Sequence, residues 1–311
     1  MRVWKIPTIS LPNWKQHSCA CARTSDSIAV GGTSTLYYRV WQDFFMGSRL
    51  SAYRDLIGGL KQHGYRFCTM AEFVRAVDRG DRFSAPVCLL RNDVDSDPLG
   101  AAKMFDCDRD AGIRATYYFR LATLDPGLAA RLTAHGAEVG YHFEEIATVA
   151  KRLALRSKME IEQRMDLIRD EFRSNLRKFR ERSGVAVRTV ASHGDFANRR
   201  LGVPNQALLT PALLAELSLL ADAYDQRVHA GLSARFTDCP PPQWWKPADP
   251  MRALGAKSAT VSILVHPRQW TCSPSVNLRL AIARIGEEAS WRLRSLRSRN
   301  RAPHIPNSAV P

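Results

Sequence analysis

A chain of 311 residues is long for one ordinary domain and normal for a single α/β barrel. Its 45% hydrophobic content supports a sizeable core, and no apolar run reaches the roughly 18 residues that would mark a spanning helix. A formal net charge of +15 and a pI near 9.9 favour an anionic partner: nucleic acid, an anionic membrane surface or an acidic substrate.

Residues 1–34 show no sustained periodicity, are broken by Pro7, Pro12 and Gly31-Gly32, and lack a secretory apolar segment. They are expected to form an irregular extension. The seven cysteines include no CxxC pair, and Cys19 and Cys21 are too close for the usual zinc spacing. Free thiols in a reducing compartment follow, and a cytoplasmic location is expected. From Tyr37 to Leu60 apolar residues recur at helical spacing, with Gly64 placed to end the helix. A short strand (Tyr65 to Cys68) and a helix (Ala71 to Val77) come next.

The apolar run from Ala85 to Leu90 predicts a buried strand that leads into Arg91-Asn92-Asp93-Val94-Asp95-Ser96-Asp97-Pro98. Asp97 suits the cap of a helix opening at Pro98. Alternation places Asp93 and Asp95 on one side of the chain, where each raises the other's cost of ionisation unless a cation neutralises one. Helices are expected over Leu99 to Ala111, Pro126 to Ala134 and, as one long element, Ala150 to Arg182, with Gly112, Gly136 and Gly184 at their ends. His135 reads as part of a helix end. Pro211 to Leu220 is the last helix predicted before the final strand. Strands are expected at Arg114 to Phe119, Ala137 to His142, Val187 to Ala191, around Ala221 to Asp225, at Phe236 to Asp238, and at Thr260 to Val265. Such alternation implies a mostly parallel sheet. Polar residues recur at strand ends, where a barrel carries its chemistry. No GxGxxG follows any strand, which removes the dinucleotide-binding alternative.

The residues at those strand ends are Asp93, Asp95, His142, His193, Asp238 and His266. Aspartate with histidine suits one divalent ion, zinc first, with nickel, cobalt, manganese or iron as alternatives. Few protein ligands leave room for a water, a second carboxylate can take its proton, and a histidine opposite can protonate a leaving group.

Asn92-Asp93-Val94-Asp95, then Ala115 to Phe119, then Glu138-Val139-Gly140-Tyr141-His142, resemble in order and spacing the NodB-type polysaccharide deacetylases. Ser192-His193-Gly194, Thr237-Asp238 with Trp244 or Trp245, and Leu264-Val265-His266-Pro267 resemble a divergent bacterial surface-polysaccharide (O-antigen) branch. The resemblance covers roughly residues 37–275. It implies a distorted (β/α)7 barrel over 35–285 that removes acyl groups from N-acetylated sugars with one divalent metal. Asp93 would be the base, Asp95 and His142 metal ligands, and His266 the acid. Arg91, Tyr141, Asp238 and Trp245 are expected to contact a carbohydrate substrate, including an anionic one.

Two positions depart from the family pattern. Ile146 stands where a second metal-binding histidine is expected, and Ser192-His193-Gly194 replaces an arginine-containing motif. His193, fixed by a strand end, is the favoured third ligand; Glu144 and Glu145 are the alternatives. An inactive barrel that only binds glycan remains the rival from another class. Nucleic-acid binding lacks a recognition motif. Residues 291–301 hold five arginines and no acid. The segment 286–311 is read as a basic tail, dispensable for folding, that can contact membrane peripherally; packing of Trp291, Leu293 and Leu296 on the barrel is the alternative.

Overall fold

The computed structural model describes residues 41–299, apart from 43, 82, 255–259 and 272. The extension expected over 1–34 and the start of the helix expected from Tyr37 lie outside the described residues. Among those described, nine strands form one sheet: β1 (Arg66–Phe67), β2 (Val87–Val94), β3 (Thr116–Phe119), β4 (Glu138–Phe143), β5 (Thr189–Ser192), β6 (Ala221–Asp222), β7 (Ala234–Asp238), β8 (Trp245–Lys246) and β9 (Thr260–Val265). Their order is β6-β5-β4-β3-β2-β9-β7-β8, with β1 beside the start of β2. All pairings are parallel except β7 with β8. All the parallel strands therefore end at the same rim, which gathers residues far apart in sequence.

β2 is central and buried along its whole length, as both faces of a covered parallel strand must be. On one face Cys88, Leu90 and Val94 join the main core, which includes Ile57, Met104, Phe172 and Phe179 from the surrounding helices. On the other, Leu89 packs with Tyr118, Ala191 and Ala221, closed below by Met70, Phe73 and Val74 of the helix Met70–Asp78. The sheet is curled. β2 and β6 are four strands apart, roughly 19 Å in a flat sheet, yet the Arg91 guanidinium donates to the Tyr224 hydroxyl just past β6 at 3.1 Å.

Caps set the helix starts. Thr69 and Glu72 cap reciprocally, Asp97 accepts from the Gly100 N–H at 2.9 Å, and Asp125 from the Leu128 N–H at 3.0 Å. The helix Pro126–Ala134 ends at His135, followed by Gly136 at φ +84°, as the sequence suggests.

Three elements differ from expectation. The first described long helix is Leu50–Gln62, preceded by irregular residues 46–49. The single helix expected from Ala150 to Arg182 is three: Glu145–Leu153, Lys158–Glu162 and Met165–Ser183. Ala154 turns the chain at φ 54°, and Ser157 then caps a new start by accepting from the Glu160 N–H. That Ser-x-x-Glu spacing was legible as a helix start.

The third difference is at the C-terminal end. The helix Pro274–Arg299 runs through position 286 without a break. Trp291, 6% exposed, meets Phe196 edge-on at 5.9 Å, with the Arg200 guanidinium 5.2 Å over its ring. The burial of Trp291 favours the alternative, packing on the barrel, over dispensability. Trp291→Ala, or a chain ending at Ser290, is expected to lose on the order of 3 kcal/mol in denaturant melts. An unchanged midpoint would restore the tail reading.

Candidate active site

β4 delivers His142 to the rim, β5 runs on into His193, and β2 runs on into Asp95. Asp95 Oδ1 lies 3.1 Å from His142 Nε2 and 3.2 Å from His193 Nδ1, and the two nitrogens are 3.3 Å apart. These three atoms form a nearly equilateral triangle. His142 Nδ1 is 2.9 Å from the Ala191 carbonyl oxygen, which can only accept, so Nδ1 carries hydrogen and Nε2 of the neutral ring presents a lone pair. A single N–H on His193 covers one side of the triangle at most. Asp95 Oδ1 remains buried without a hydrogen bond of acceptable geometry.

A cation satisfies all three atoms together. Ligands at 2.0–2.1 Å from a tetrahedral centre sit about 3.3 Å from one another, which matches the observed edges. Asp95, His142 and His193 are thus a group that can hold a metal ion. The alternatives for the third position are committed elsewhere. Glu144 accepts from Arg120 Nη2 at both carboxylate oxygens, at 2.6 and 2.8 Å, and from Nε at 2.9 Å. Glu145 accepts from the Tyr141 hydroxyl, Asn175 and the Glu144 N–H. Ile146 is fully buried in the main core.

The backbone around the triangle is fastened. Arg120 also donates to the Asp95 carbonyl at 3.1 Å, and the Thr123 hydroxyl to the Val94 carbonyl at 2.6 Å. The His193 N–H donates to the Phe143 carbonyl, and Asn205 donates to the His193 carbonyl while accepting from the Ala147 N–H. Asn205 thereby ties the two histidine-bearing loops together.

Asp93 sits one step inside the triangle, its Oδ2 3.5 Å from His142 Nε2. The Arg91 guanidinium, two residues back on the same face of β2, donates to both its oxygens at 2.7 Å. Burial works against the charge on Asp93, but Arg91, with His266 beyond it, holds the carboxyl below its ordinary range. Arg91 also stacks on Tyr118 and Tyr224, so it is locked below the site. On the opposite flank His266, at the end of β9, places Nδ1 2.6 Å from Asp238 Oδ1. Asp238 Oδ2 accepts from the His266 N–H at 2.7 Å and from Trp270 Nε1 at 2.9 Å. Burial lowers the His266 pKa, yet Asp238, backed by Asp95 and Asp93, raises it to about 10. Near neutral pH it is an imidazolium, with Nδ1 turned to Asp238 and Nε2 left for the site.

The residues expected to contact substrate are placed differently. Arg91 and Asp238 are buried and hydrogen-bonded to Asp93 and His266. Trp245 is buried and packs on Trp270 at 5.7 Å. Tyr141 follows the pleat to the other face of β4, where it stacks between Phe172 and Phe179. The sequence reading missed Tyr224, Trp270, Arg120 and Asn205. Tyr224, Trp270 and Arg120 lie in loops or turns and Asn205 opens a short 3-10 helix; Arg120 directly follows the Ala115 to Phe119 motif and Trp270 is four residues after His266.

No family model and no curated protein matches the chain. Solved structures do. The Streptococcus pyogenes deacetylase PplD in complex with acetate is 11% identical over 57% of this chain and 76% of its own, with a TM-score of 0.38. A CE4 family pseudoenzyme from Bacillus anthracis is 15% identical over 65% and 60%, with a TM-score of 0.34. A family 4 carbohydrate esterase from Streptomyces lividans in complex with acetate is 13% identical over 65% and 91%, with a TM-score of 0.30.

Proposed function

We propose that the protein is a metal-dependent N-deacylase of the NodB type. Its substrate on this reading is an acylamino sugar of a bacterial surface polysaccharide, such as an O-antigen, or its precursor. The observation that carries this is the triangle of Asp95, His142 and His193, flanked on one side by an ionised carboxylate and on the other by a protonated imidazole. A binding module has no use for two buried partners, Arg91 and Asp238, that hold a base charged and an acid protonated. The reading includes a (β/α)7 barrel and a cytoplasmic location; no helix among the described residues is long and apolar enough to cross a membrane.

Zinc is the ion proposed, since two imidazoles and a carboxylate suit it. Bound there, it supplies a polarised acyl oxygen and a water of lowered pKa. Asp93 would take a proton, at a carboxylate oxygen, from the water whose oxygen bonds the acyl carbon, keeping its hydrogen bonds from Arg91. His266 Nε2 gives its proton to the amine nitrogen as the C–N bond breaks, while Asp238 holds Nδ1 and fixes the ring.

The test is acetate or formate release from N-acylated sugars in nucleotide-linked, lipid-linked and polymeric form. Activity is expected to vanish on chelation and return with zinc. Asp93→Asn is expected to keep its metal and lose turnover by ~10²-fold or more, whereas Asp95→Ala should lose the metal itself. Protein that takes up no zinc and releases no acid from any of these sugars sinks the proposal and leaves an inactive glycan-binding barrel.

A further inference from the structure

One side of the helix Pro274–Arg299 packs on the body of the protein, and a different side carries an apolar row. Asn277 and Trp291 are buried, Trp291 against Phe196, and Glu287 on the same side pairs with Lys151 at 3.1 Å. Away from that side stand Leu278, Ile282, Ile285 and Leu293, which are 49%, 62%, 69% and 58% exposed. With exposed Ala289 they follow spacings of four, three, four and four, confining them to about 80° of the helix circumference. Scattered exposed leucines need no explanation, but an aligned row of four large aliphatics does.

The charge around the row says what covers it. The helix carries arginines at 279, 284, 292, 294, 297 and 299, against acids at Glu287 and Glu288 only. Glu287 is already paired. A second copy of this helix is a poor partner. Laid parallel, the arginine-rich ends meet each other; laid antiparallel, that end meets residues 274–283, which contain no acid. An anionic lipid surface accepts both features, taking the aliphatic row into the acyl boundary and the arginines at the headgroups.

We propose that the helix Pro274–Arg299 docks the protein onto an anionic membrane surface through Leu278, Ile282, Ile285 and Leu293. Its docked Trp291 face then fixes the orientation of the body relative to the lipid. This reaches beyond the deacylase reading and does not depend on it.

Co-sedimentation of the full chain with vesicles tests it. The protein is expected to pellet with phosphatidylcholine–phosphatidylglycerol vesicles and to stay in solution with pure phosphatidylcholine. Ile282→Glu combined with Ile285→Glu is expected to lower partitioning at least ~10-fold, since both the buried area and the charge match are lost. The far-UV circular dichroism and melting midpoint should be unchanged, because both positions are exposed. Equal partitioning of wild type and variant, or no binding to anionic vesicles, overturns the proposal. So does a lipid-free dimer by light scattering that the double variant converts to monomer, since a second copy would then be the occupant.

Discussion

His193→Ala is expected to strip the metal as completely as His142→Ala does. Losing an outer partner of a ligand already costs 10–100-fold in affinity, so losing one of three ligands should cost more than ~100-fold. The measurement is metal content after identical dialysis of wild type and both variants, with thermal melts to show that the chains stay folded. The expectation rests on the edges of 3.1, 3.2 and 3.3 Å, which leave His193 no less engaged than His142. Full metal retention with lost activity would make His193 a substrate residue. The third ligand would then have to come from Glu144 or Glu145, against the hydrogen bonds that now hold both. Position 146 cannot supply it, because an isoleucine side chain has no donor atom, and this one is packed in the main core.

How much of this was legible depended on whether a residue's role is set locally or by the curl of the sheet. β2, β3, β4 and β9 could be read from apolar runs, and their terminal Asp93, His142 and His266 followed. Asp97 could be read as a cap because its partner, Gly100, is three residues away. Arg91 was visible but misplaced. Its two-residue separation from Asp93 puts both on one strand face, yet nothing local says that the guanidinium turns toward the carboxylate and not toward solvent. Tyr224 reaches Arg91 only because the sheet curls, and Trp270 reaches Asp238 because β9 pairs with β7; no window of sequence contains either. Trp291 could be read only as an alternative: in a run of arginines the hydrophobic count is low, and one well-placed indole outweighs the count. The third-ligand question shows the same divide. The sequence offered three candidates at two strand ends, and only the competing partners of Glu144 and Glu145 separate them from His193.

The pH profile offers the sharpest check on the acid. On the proposed mechanism His266 must be protonated to protonate the amine, so activity should fall as pH rises through its pKa, which Asp238 lifts to about 10. The wild-type rate is therefore expected to hold on its alkaline side until well above pH 8. In Asp238→Asn the negative charge is gone while the burial remains. The His266 pKa should drop toward or below the ordinary value of about 6.5, and the alkaline limb should move down with it. The amide also puts an N–H group or a weaker acceptor against Nδ1, which disturbs the tautomer, so the loss at pH 8 should reach ~10²-fold or more. Stability follows the same linkage. A histidine with a raised folded-state pKa adds stability that is full below about pH 6.5 and lost as pH climbs toward about 10. Denaturant midpoints of the wild type should fall across that window, and those of Asp238→Asn should fall less. An alkaline limb that stays in place in Asp238→Asn would remove His266 as the group titrating there, and with it the role of Asp238 as the residue that keeps the acid charged.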